Sequence, residues 1–340
     1  MHQRRKSEHL RINLEEDVVS TGVSTGFERY RFLHSALPGI SLENIDTRTR
    51  LLGRVVEAPL LISSMTGGTP EAGCINRRLA EAVQEAGIGM GLGSQRAAIE
   101  DPSLANTYRV RDVAPDILLF ANLGAVQLNH GYGPDECRRA VDTVEADALI
   151  LHLNPLQEAL QPDGDTDFAD LLSKIELVCR VLDVPVVAKE VGWGISDVVA
   201  RQLADTGVAA IEIAGSGGSS WSLVEMHRAE TSHQRAVAAA FGDWGIPTAE
   251  SLLMVQAGAP EVPVIASGGI RSGIQIGKAI ALGAAACGVA RPFLHAASES
   301  SAAVVELIRI FVDQLRVAMF ATGASDIDAL GRVPLQQVGR

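Results

Sequence analysis

Residues 151–158 read LHLNPLQE, and this short segment places four polar side chains at the end of an apolar run. Because successive strand residues face opposite sides, His152 and Asn154 would share one face and the leucines the other. Gln157 and Glu158 follow just past the predicted strand end. An imidazole, two amides and a carboxylate can together exchange hydrogen bonds, transfer a proton or bind a hard cation. For an isolated strand, polar groups that simply meet water are the plainer interpretation.

The composition indicates a large aliphatic core. Hydrophobic residues make up 47% of the 340 residues and aromatic residues only 4%, which is typical of buried parallel sheet packed under helices. The formal net charge of -12 argues against a nucleic-acid or anionic-membrane partner, because both need a basic face. An anionic substrate would then be bound by a few local cations.

The N-terminus and the cysteines predict the location. The first ten residues, MHQRRKSEHL, contain no apolar stretch, and no apolar run is long enough to span a bilayer, so we predict a cytoplasmic protein. The four cysteines lack metal-binding spacing and are predicted to be buried free thiols: Cys74, Cys137, Cys179 and Cys287.

Eight apolar runs of strand length alternate with segments of helical period. The runs cover residues 59–63, 87–93, 117–124, 148–154, 185–190, 209–215, 263–269 and 285–290. This alternation predicts an α/β fold, a closed (β/α)₈ TIM barrel with an N-terminal extension and a C-terminal covering helix that stops at Gly323. An open doubly wound sheet is the alternative, but it usually has fewer strands.

No linker divides the chain, so we expect a single domain over residues 1–340. It would comprise an extension at 1–58, the barrel at 59–322 and a tail at 323–340. The segment between the sixth and seventh strands is unusually long and is expected to form part of the active site.

Polar residues follow nearly every predicted strand. The strand ends read SSMTGG, GSQR, ANLG, HLNPLQE, KE, GSGGSS, SGGIR and ARP, in chain order. Barrel enzymes place their sites at the C-terminal ends of the strands, so His152 and Asn154 would belong to a ring of polar groups. This pattern favours a functional site over a strand end that merely meets water.

The last two strand ends predict a phosphate site. SGGIR and ARP supply backbone N–H groups that an oxyanion can approach closely at Gly268 and Gly269, with Arg271 as a countercharge. Barrel phosphate sites usually lie after these two strands. Two tight turns are the alternative interpretation of the same glycines.

The second and fifth strands point to a flat anionic ligand. The second has glycine at every other position, Gly87, Gly89, Gly91 and Gly93, which would leave room beside one face of the strand. Lys189 alternates with Val187 and should point into the barrel, where a buried lysine needs a negative partner. That partner would be Glu212 or an anionic cofactor ring, and a Schiff-base lysine is a further alternative. A phosphate site, a glycine wall and an inward lysine together predict FMN.

The chain resembles the type 2, FMN-dependent isopentenyl diphosphate isomerases over nearly its whole length. The resemblance is carried by RKSEH (5–9), MTGG (65–68), GSQR, ANLG, HLNPLQE, KEVGWG (189–194), SGGSSW (216–221) and SGGIR. Members of that family interconvert isopentenyl and dimethylallyl diphosphate with reduced FMN and Mg²⁺. The resemblance further implies NAD(P)H as the reductant and a homo-oligomer, a tetramer or an octamer.

The resemblance also implies roles for individual residues. The FMN contacts would be Ser64, Met65, Thr66, Ser94, Asn122, Lys189, Ser219, Gly268, Gly269, Ile270, Arg271, Ala290 and Arg291. Substrate would be bound by Arg5, Lys6, His9, Ser94, Gln95, Arg96 and Gln157, and the catalytic set would be Gln157, His152 and Asn154. Glu158 would bind the metal ion.

Two segments differ from that family's pattern or have a plainer interpretation by themselves. Its SGGT motif usually has threonine where this chain has Ser219, which keeps the hydroxyl. By itself RRKSEH is more typical of a frayed basic tail, and only the resemblance makes it a flap over the substrate.

The residues also bear on three other functions. A 2-hydroxy-acid oxidase needs a histidine base near the end of strand six, and an inosine monophosphate dehydrogenase needs a cysteine there, but the loop reads AGSGGSSW. A flavin- or diphosphate-binding sensor without chemistry is the third, and the presence of His152, Gln157 and Glu158 speaks against it.

Overall fold

The structure, a computed structural model, describes residues 2–338, with side chains from residue 4 onward. Its strands are β1 (Tyr30–Phe32), β2 (Thr49–Leu51), β3 (Arg54–Val56), β4 (Leu60–Ile62), β5 (Gly89–Gly91), β6 (Leu118–Gly124), β7 (Ala148–Leu153), β8 (Val186–Glu190), β9 (Ala210–Glu212), β10 (Val264–Ser267), β11 (Ala286–Val289) and β12 (Leu335–Gln337).

Each barrel strand is followed by at least one helix, and the first helix precedes the barrel. The helices are α1 (His2–Glu15), α2 (Pro70–Ala86), α3 (Arg96–Glu100), α4 (Pro134–Val144), α5 (Pro155–Leu160), α6 (Leu171–Val181), α7 (Asp197–Asp205), α8 (Trp221–Arg228), α9 (Ser232–Ala239), α10 (Thr248–Gly258), α11 (Gly273–Ala281), α12 (Arg291–Glu299), α13 (Ser301–Thr322) and α14 (Ile327–Leu330).

Eight parallel strands, β4 to β11, close into a barrel, which confirms the predicted TIM fold. Each pairs with its neighbour in chain order, and β11 pairs with β4 to complete the ring. Each predicted apolar run contains one of these strands. All C-terminal strand ends therefore lie at one mouth of the barrel.

The strand β7 shows how alternation sorts the core. Leu149 and Leu151 face the outer helices, whereas Ala148 and Ile150 pack with the inward residues of the other strands. The interior cluster also contains Leu51 and Val56 from the β2–β3 hairpin, so the hairpin closes the N-terminal end of the barrel. Only the opposite mouth is left for a ligand.

The chain after the barrel forms the predicted covering helix, α13, and also a strand, β12. The helix α13 ends at Gly323, which adopts a φ of 76°, the left-handed conformation that glycine favours. The expected tail is built into the fold up to Val338, because β12 pairs antiparallel with β1 of the N-terminal extension.

The helix α1 lies across the open mouth of the barrel and packs on α8 and α12. Its own residues Leu10 and Ile12 are buried. Arg291, at the start of α12, donates hydrogen bonds to the carbonyl oxygens of Asn13 and Glu16 at the end of α1. The basic N-terminal segment is therefore a docked helix and not a frayed tail.

The structure bears on the predicted lack of a membrane span and on the predicted burial of the cysteines. No helix within residues 2–338 is long and apolar enough to cross a membrane. The four cysteines are free, but Cys74 is exposed, so the prediction that all four are buried was wrong. Cys74 lies on the outer, solvent-facing side of α2, whereas Cys137 and Cys287 are fully buried.

Candidate active site

A cavity of about 730 Å³ opens at the C-terminal ends of the barrel strands, beneath α1. This volume lies within the usual range of small-molecule and cofactor sites. All but one of the residues predicted to bind cofactor, substrate or metal line the cavity. The exception is Gln95.

Gln95 is fully buried behind the cavity. Its side-chain amide donates to the carbonyl oxygen of Ala140 at 2.8 Å and accepts from the backbone N–H of Asn122 at 3.0 Å. Both ends of the amide are engaged by the backbone, and the substrate contact of Gln95 stays a prediction. Its place in the structure is to fix the backbone that carries Asn122.

Lys189 points into the barrel, as the strand alternation predicts. Its ammonium donates to the carbonyl oxygen of Glu190 at 2.7 Å and lies 3.5 Å from the Glu212 carboxylate. Glu212 is fully buried and also accepts from the Ser63 hydroxyl at 2.6 Å. The ion pair satisfies the buried lysine, and Lys189 still lines the cavity.

The glycines around β5 do not form the open wall that the sequence predicts. Gly87 ends α2 with a φ of 65° and is not part of the strand. A Cβ at Gly91 would lie 2.3 Å from the Ser64 hydroxyl oxygen, and one at Gly93 would lie 2.5 Å from the Thr66 backbone. The glycines therefore admit the 63–67 loop, and this loop, not the strand, presents its side chains to the cavity.

Two glycine-rich loops, 214–219 and 267–271, meet at the ends of β9 and β10. A Cβ at Gly268 would lie 2.1 Å from the carbonyl oxygen of Gly215, and one at Gly218 would lie 2.5 Å from the nitrogen of Gly269. In the part of the chain that the structure describes, the N–H groups of Gly268 and Gly269 make no hydrogen bond. Free N–H groups in a side-chain-free cradle are suited to an oxyanion.

The end of β7 brings His152 to the cavity. Its Nδ1 lies 2.8 Å from the Asn122 amide oxygen, which can only accept, so Nδ1 carries the proton of the neutral ring. Burial, helped by the positive charge of Lys189, lowers the pKa of His152 to about 4. His152 is therefore neutral at pH 7 and offers Nε2 as an acceptor.

Asn154, Gln157 and Glu158 form a buried group just beyond β7. The Asn154 amide donates to Gln157 Oε1 at 3.2 Å and to Glu158 Oε1 at 2.8 Å. Asn154 Oδ1 is buried without a hydrogen-bond partner in the structure. A buried polar atom of this kind usually has a partner, so the group is arranged for a ligand in the cavity.

Glu158 supplies the carboxylate of this group and lines the cavity. Its Oε1 accepts from Asn154, and its Oε2 accepts from the Gln161 amide and, at 2.8 Å, from the backbone N–H of Asp165. A carboxylate offers about four lone-pair positions, so three donors leave roughly one for a cation. Within residues 4–338 no cluster of three or more metal-ligating side chains occurs. Glu158 thus fits Mg²⁺ only in the form of one carboxylate joined by ligand oxygens and waters.

Cations line the α1 side of the cavity. Lys6 donates to the Ser94 carbonyl oxygen at 2.7 Å, and burial together with the charge of Arg5 lowers the pKa of Lys6 to about 7. Burial also lowers the pKa of Arg5. His9 Nε2 lies 2.9 Å from the buried carboxylate of Glu225, yet burial lowers the pKa of this imidazole too. A polyanion would offset these desolvation costs.

Arg96 lines the same side and is held between two carboxylates. Its Nη1 donates to Asp165 at 2.5 Å and its Nε to Glu100 at 2.8 Å. Asp165 also accepts from the Gln127 amide at 3.0 Å. The guanidinium is thereby oriented before any ligand arrives.

Three residues that the sequence did not single out hold site residues in place: Glu225, Asp165 and Tyr108. Glu225 orients His9, Asp165 orients Arg96, and Tyr108 contacts Lys6. Glu225 stands four residues after Trp221 in the long segment already expected at the site, which is a helical spacing. Asp165 and Tyr108 lie in irregular segments that carry no sequence signal.

The residues present fit FMN. The glycine cradle with Arg271 suits the phosphate, and Lys189 with the buried, unpartnered Ser64 hydroxyl suits a ring that carries negative charge and hydrogen-bonding edges. All these groups lie in one cavity at the mouth of the barrel. The fold and the site together define an FMN-dependent barrel enzyme.

Comparison with known proteins agrees with this class. Residues 153–337 match the family of FMN-dependent dehydrogenases. Among solved structures, a mandelate oxidase variant with (S)-mandelic acid has a TM-score of 0.67 at 20% identity and covers 99% of this chain and 98% of that one. Another, with a monooxide FMN adduct, has a TM-score of 0.65 at 21% identity, covering 97% and 92%. At this identity the likeness concerns the fold.

Curated relatives are far more similar. The isopentenyl-diphosphate delta-isomerases of Synechocystis sp., Nostoc sp. and Rickettsia bellii are 56%, 54% and 51% identical in sequence to this chain. The matches cover 97%, 96% and 98% of this chain and 95%, 94% and 97% of those proteins. The chain belongs to the isopentenyl-diphosphate delta-isomerase family, in its FMN-dependent, type 2 form.

Proposed function

We propose that this enzyme interconverts isopentenyl and dimethylallyl diphosphate in isoprenoid biosynthesis, with reduced FMN, Mg²⁺ and NAD(P)H as the reductant of the flavin. The observation that carries the proposal is that one cavity joins a flavin-type phosphate cradle, a cluster of cations and the group of Asn154, Gln157 and Glu158. Each part meets one requirement of the reaction.

The reaction adds a proton at one carbon and removes one at another, so positive charge develops on an apolar chain. Reduced FMN bound in the cavity would supply an electron-rich ring that stabilises such charge. Lys189 contributes a cation at the flavin side of the cavity and favours the anionic form of the ring. Neutral His152 adds no positive charge to the site.

Gln157 is suited to handle the proton at the allylic carbons. It is nearly buried, and its Oε1 is fixed by the Asn154 amide. An amide has no pKa in the useful range, so Gln157 would orient or relay a proton and not act as a strong base.

The diphosphate supplies the binding energy. Arg5, Lys6 and Arg96 lie on the same side of the cavity and can donate charge-assisted hydrogen bonds to its oxygens. Mg²⁺ at Glu158 would neutralise part of the diphosphate charge. The helix α1 covers this end and would limit the access of water, which would protect a cation-like transition state.

Oxidase chemistry on the same fold is the second candidate, because the structural neighbours are oxidases. The 214–221 loop after β9 reads AGSGGSSW and has no histidine to act as a base. The cation cluster under α1 also suits a diphosphate better than a small monocarboxylate. Both observations favour the isomerase.

The proposal is tested by incubating purified protein with FMN, NADPH, Mg²⁺ and isopentenyl diphosphate without oxygen. Dimethylallyl diphosphate should form, and formation should stop without FMN or when Mg²⁺ is chelated. Consumption of NADPH without that product would contradict the isomerase.

We expect Gly268→Ala to lower retained FMN to a small fraction of the parent content. The added Cβ would meet a backbone oxygen that cannot move aside, in a residue whose φ is 104°. Gly131→Ala is the matched control, since Gly131 has a φ of 86° but open space around it. Equal FMN content in the two purified variants would show that the cradle does not bind the phosphate.

We expect Arg96→Lys to raise the KM for isopentenyl diphosphate about tenfold and to leave FMN content unchanged. A lysine cannot reproduce the two-pronged contact of a guanidinium. The control is Arg77→Lys, because Arg77 also binds a carboxylate, Asp112, but does not line the cavity. A KM equal to that of the control would place Arg96 outside the substrate site.

The further expectations of a cytoplasmic location and a tetramer or octamer concern the protein in solution and in the cell, and they stay predictions. Size-exclusion chromatography with light scattering would measure the oligomer directly.

A further inference from the structure

Tyr108 closes a triangle of hydrogen bonds at the edge of the cavity. It is fully buried, and its hydroxyl donates to the Ser94 carbonyl oxygen at 2.8 Å and accepts from the Lys6 ammonium at 2.5 Å. Lys6 also donates to the same Ser94 oxygen at 2.7 Å. The three groups come from α1, from the loop after β5 and from the segment before β6.

The ring of Tyr108 supports a second part of the site. A Cβ at Gly67 would lie 2.0 Å from Tyr108 Cε1, and one at Gly68 would lie 2.9 Å from the hydroxyl oxygen and 3.0 Å from Lys6 Nζ. Gly68 has a φ of 86°. The two glycines of MTGG therefore allow the backbone beside Met65 and Thr66, which line the cavity, to lie directly on the tyrosine.

The donors of Lys6 explain what this contact does. An ammonium has three N–H groups, and Tyr108 and Ser94 occupy two of them. The third is left for the cavity, which Lys6 lines. With a fixed anchor, the lysine loses little side-chain freedom when an anion binds.

We propose that Tyr108 is a positioning residue for the isomerase site: its hydroxyl aims Lys6 at the diphosphate, and its ring supports the Met65–Gly68 loop at the flavin. The substrate half of this inference rests on the proposed function. Burial raises the pKa of Tyr108, so the hydroxyl keeps its proton and can donate to Ser94. Burial and Arg5 lower the pKa of Lys6, so its ammonium depends on neighbouring acceptors and an incoming anion.

Tyr108→Phe tests the hydroxyl. We expect the KM for isopentenyl diphosphate to rise about tenfold, with kcat within about threefold and FMN content unchanged, because loss of one hydrogen bond to a charged group is on this scale. Tyr132→Phe is the matched control, since the Tyr132 hydroxyl is buried without a partner in the structure. That variant should keep the parent KM.

A double-mutant cycle tests whether the hydroxyl acts through Lys6. Lys6→Met should itself raise the KM, and adding Tyr108→Phe should raise it no further. Additive effects would mean that the hydroxyl acts by another route and would overturn the positioning role. Tyr108→Leu, which also removes the ring, should in addition lower FMN affinity in a flavin titration.

Gly68→Ala provides a second test of the same contact if Tyr108→Phe does not fold. Its Cβ would press on both the hydroxyl and the ammonium, so the KM should rise as in Tyr108→Phe, while Gly131→Ala should not change it. If neither Tyr108→Phe nor Gly68→Ala raises the KM of an active parent, the inference fails. If the parent itself does not convert isopentenyl diphosphate, the proposed function fails instead, and the flavin titration of Tyr108→Leu still tests the ring.

Discussion

Gln157→Ala is expected to lower kcat by about 10²- to 10⁴-fold, the range that positioned proton-transfer groups contribute. Gln157 lines the cavity, and its Oε1 is fixed by the Asn154 amide. Unlike Asn154, the Gln157 side chain makes no direct hydrogen bond to the Glu158 carboxylate in the part of the chain that the structure describes. The dependence of the rate on Mg²⁺ should not change. The measurement is steady-state kinetics under anaerobic conditions across a Mg²⁺ titration.

The adjacent variant Glu158→Gln should respond differently and serves as the comparison. It keeps the shape but removes the charge of the carboxylate that we propose as the Mg²⁺ ligand. The Mg²⁺ concentration for half-maximal rate should rise about tenfold or more, the scale found when support of a metal site is lost, and added metal should partly rescue the rate. A metal titration like that of the parent would remove Glu158 as the ligand.

Lys189→Met is expected to lower the free energy of unfolding by about 3–5 kcal/mol, because it leaves the Glu212 carboxylate buried without its cation. Glu212 has no exposed surface, and Glu212 Oε2 already lacks a partner. FMN affinity should fall as well, since Lys189 lines the cavity. Urea denaturation of FMN-free protein and a flavin titration measure the two effects separately.

The double variant Lys189→Met/Glu212→Gln separates charge from cofactor binding. Replacing both partners of a buried ion pair is often close to neutral, so most of the lost stability should return while FMN affinity stays low. If the double variant is as unstable as Lys189→Met alone, the pair does not carry the stability. If it binds FMN like the parent, Lys189 has no role at the ring.

The barrel could be predicted from sequence because its signal is local. Each buried parallel strand is a short apolar run, and helical segments separate the runs. The same alternation placed Lys189 inside the barrel and named Glu212 as its partner, and the structure has both. The pairing of β12 with β1 could not be read this way, since it joins segments about 300 residues apart and neither has a distinctive pattern.

The position of a site residue could be predicted where it follows from the residue's own strand, and not where it depends on a second segment. The glycines at Gly91 and Gly93 have the spacing of an open wall, but the 63–67 loop fills that space. Gln95 belongs to the GSQR motif, yet it serves the backbone at Asn122. Tyr108 matters only because α1 and the loop after β5 converge on its hydroxyl.

The central claim is that a flavin-type site on this barrel moves a double bond without net transfer of electrons. The most direct measurement is the ratio of dimethylallyl diphosphate formed to NADPH consumed, with oxygen excluded and FMN and Mg²⁺ present. The account predicts many product molecules for each NADPH, since the reductant is needed only to reduce the flavin at the outset. One NADPH consumed for each product molecule would identify an oxidoreductase and contradict it.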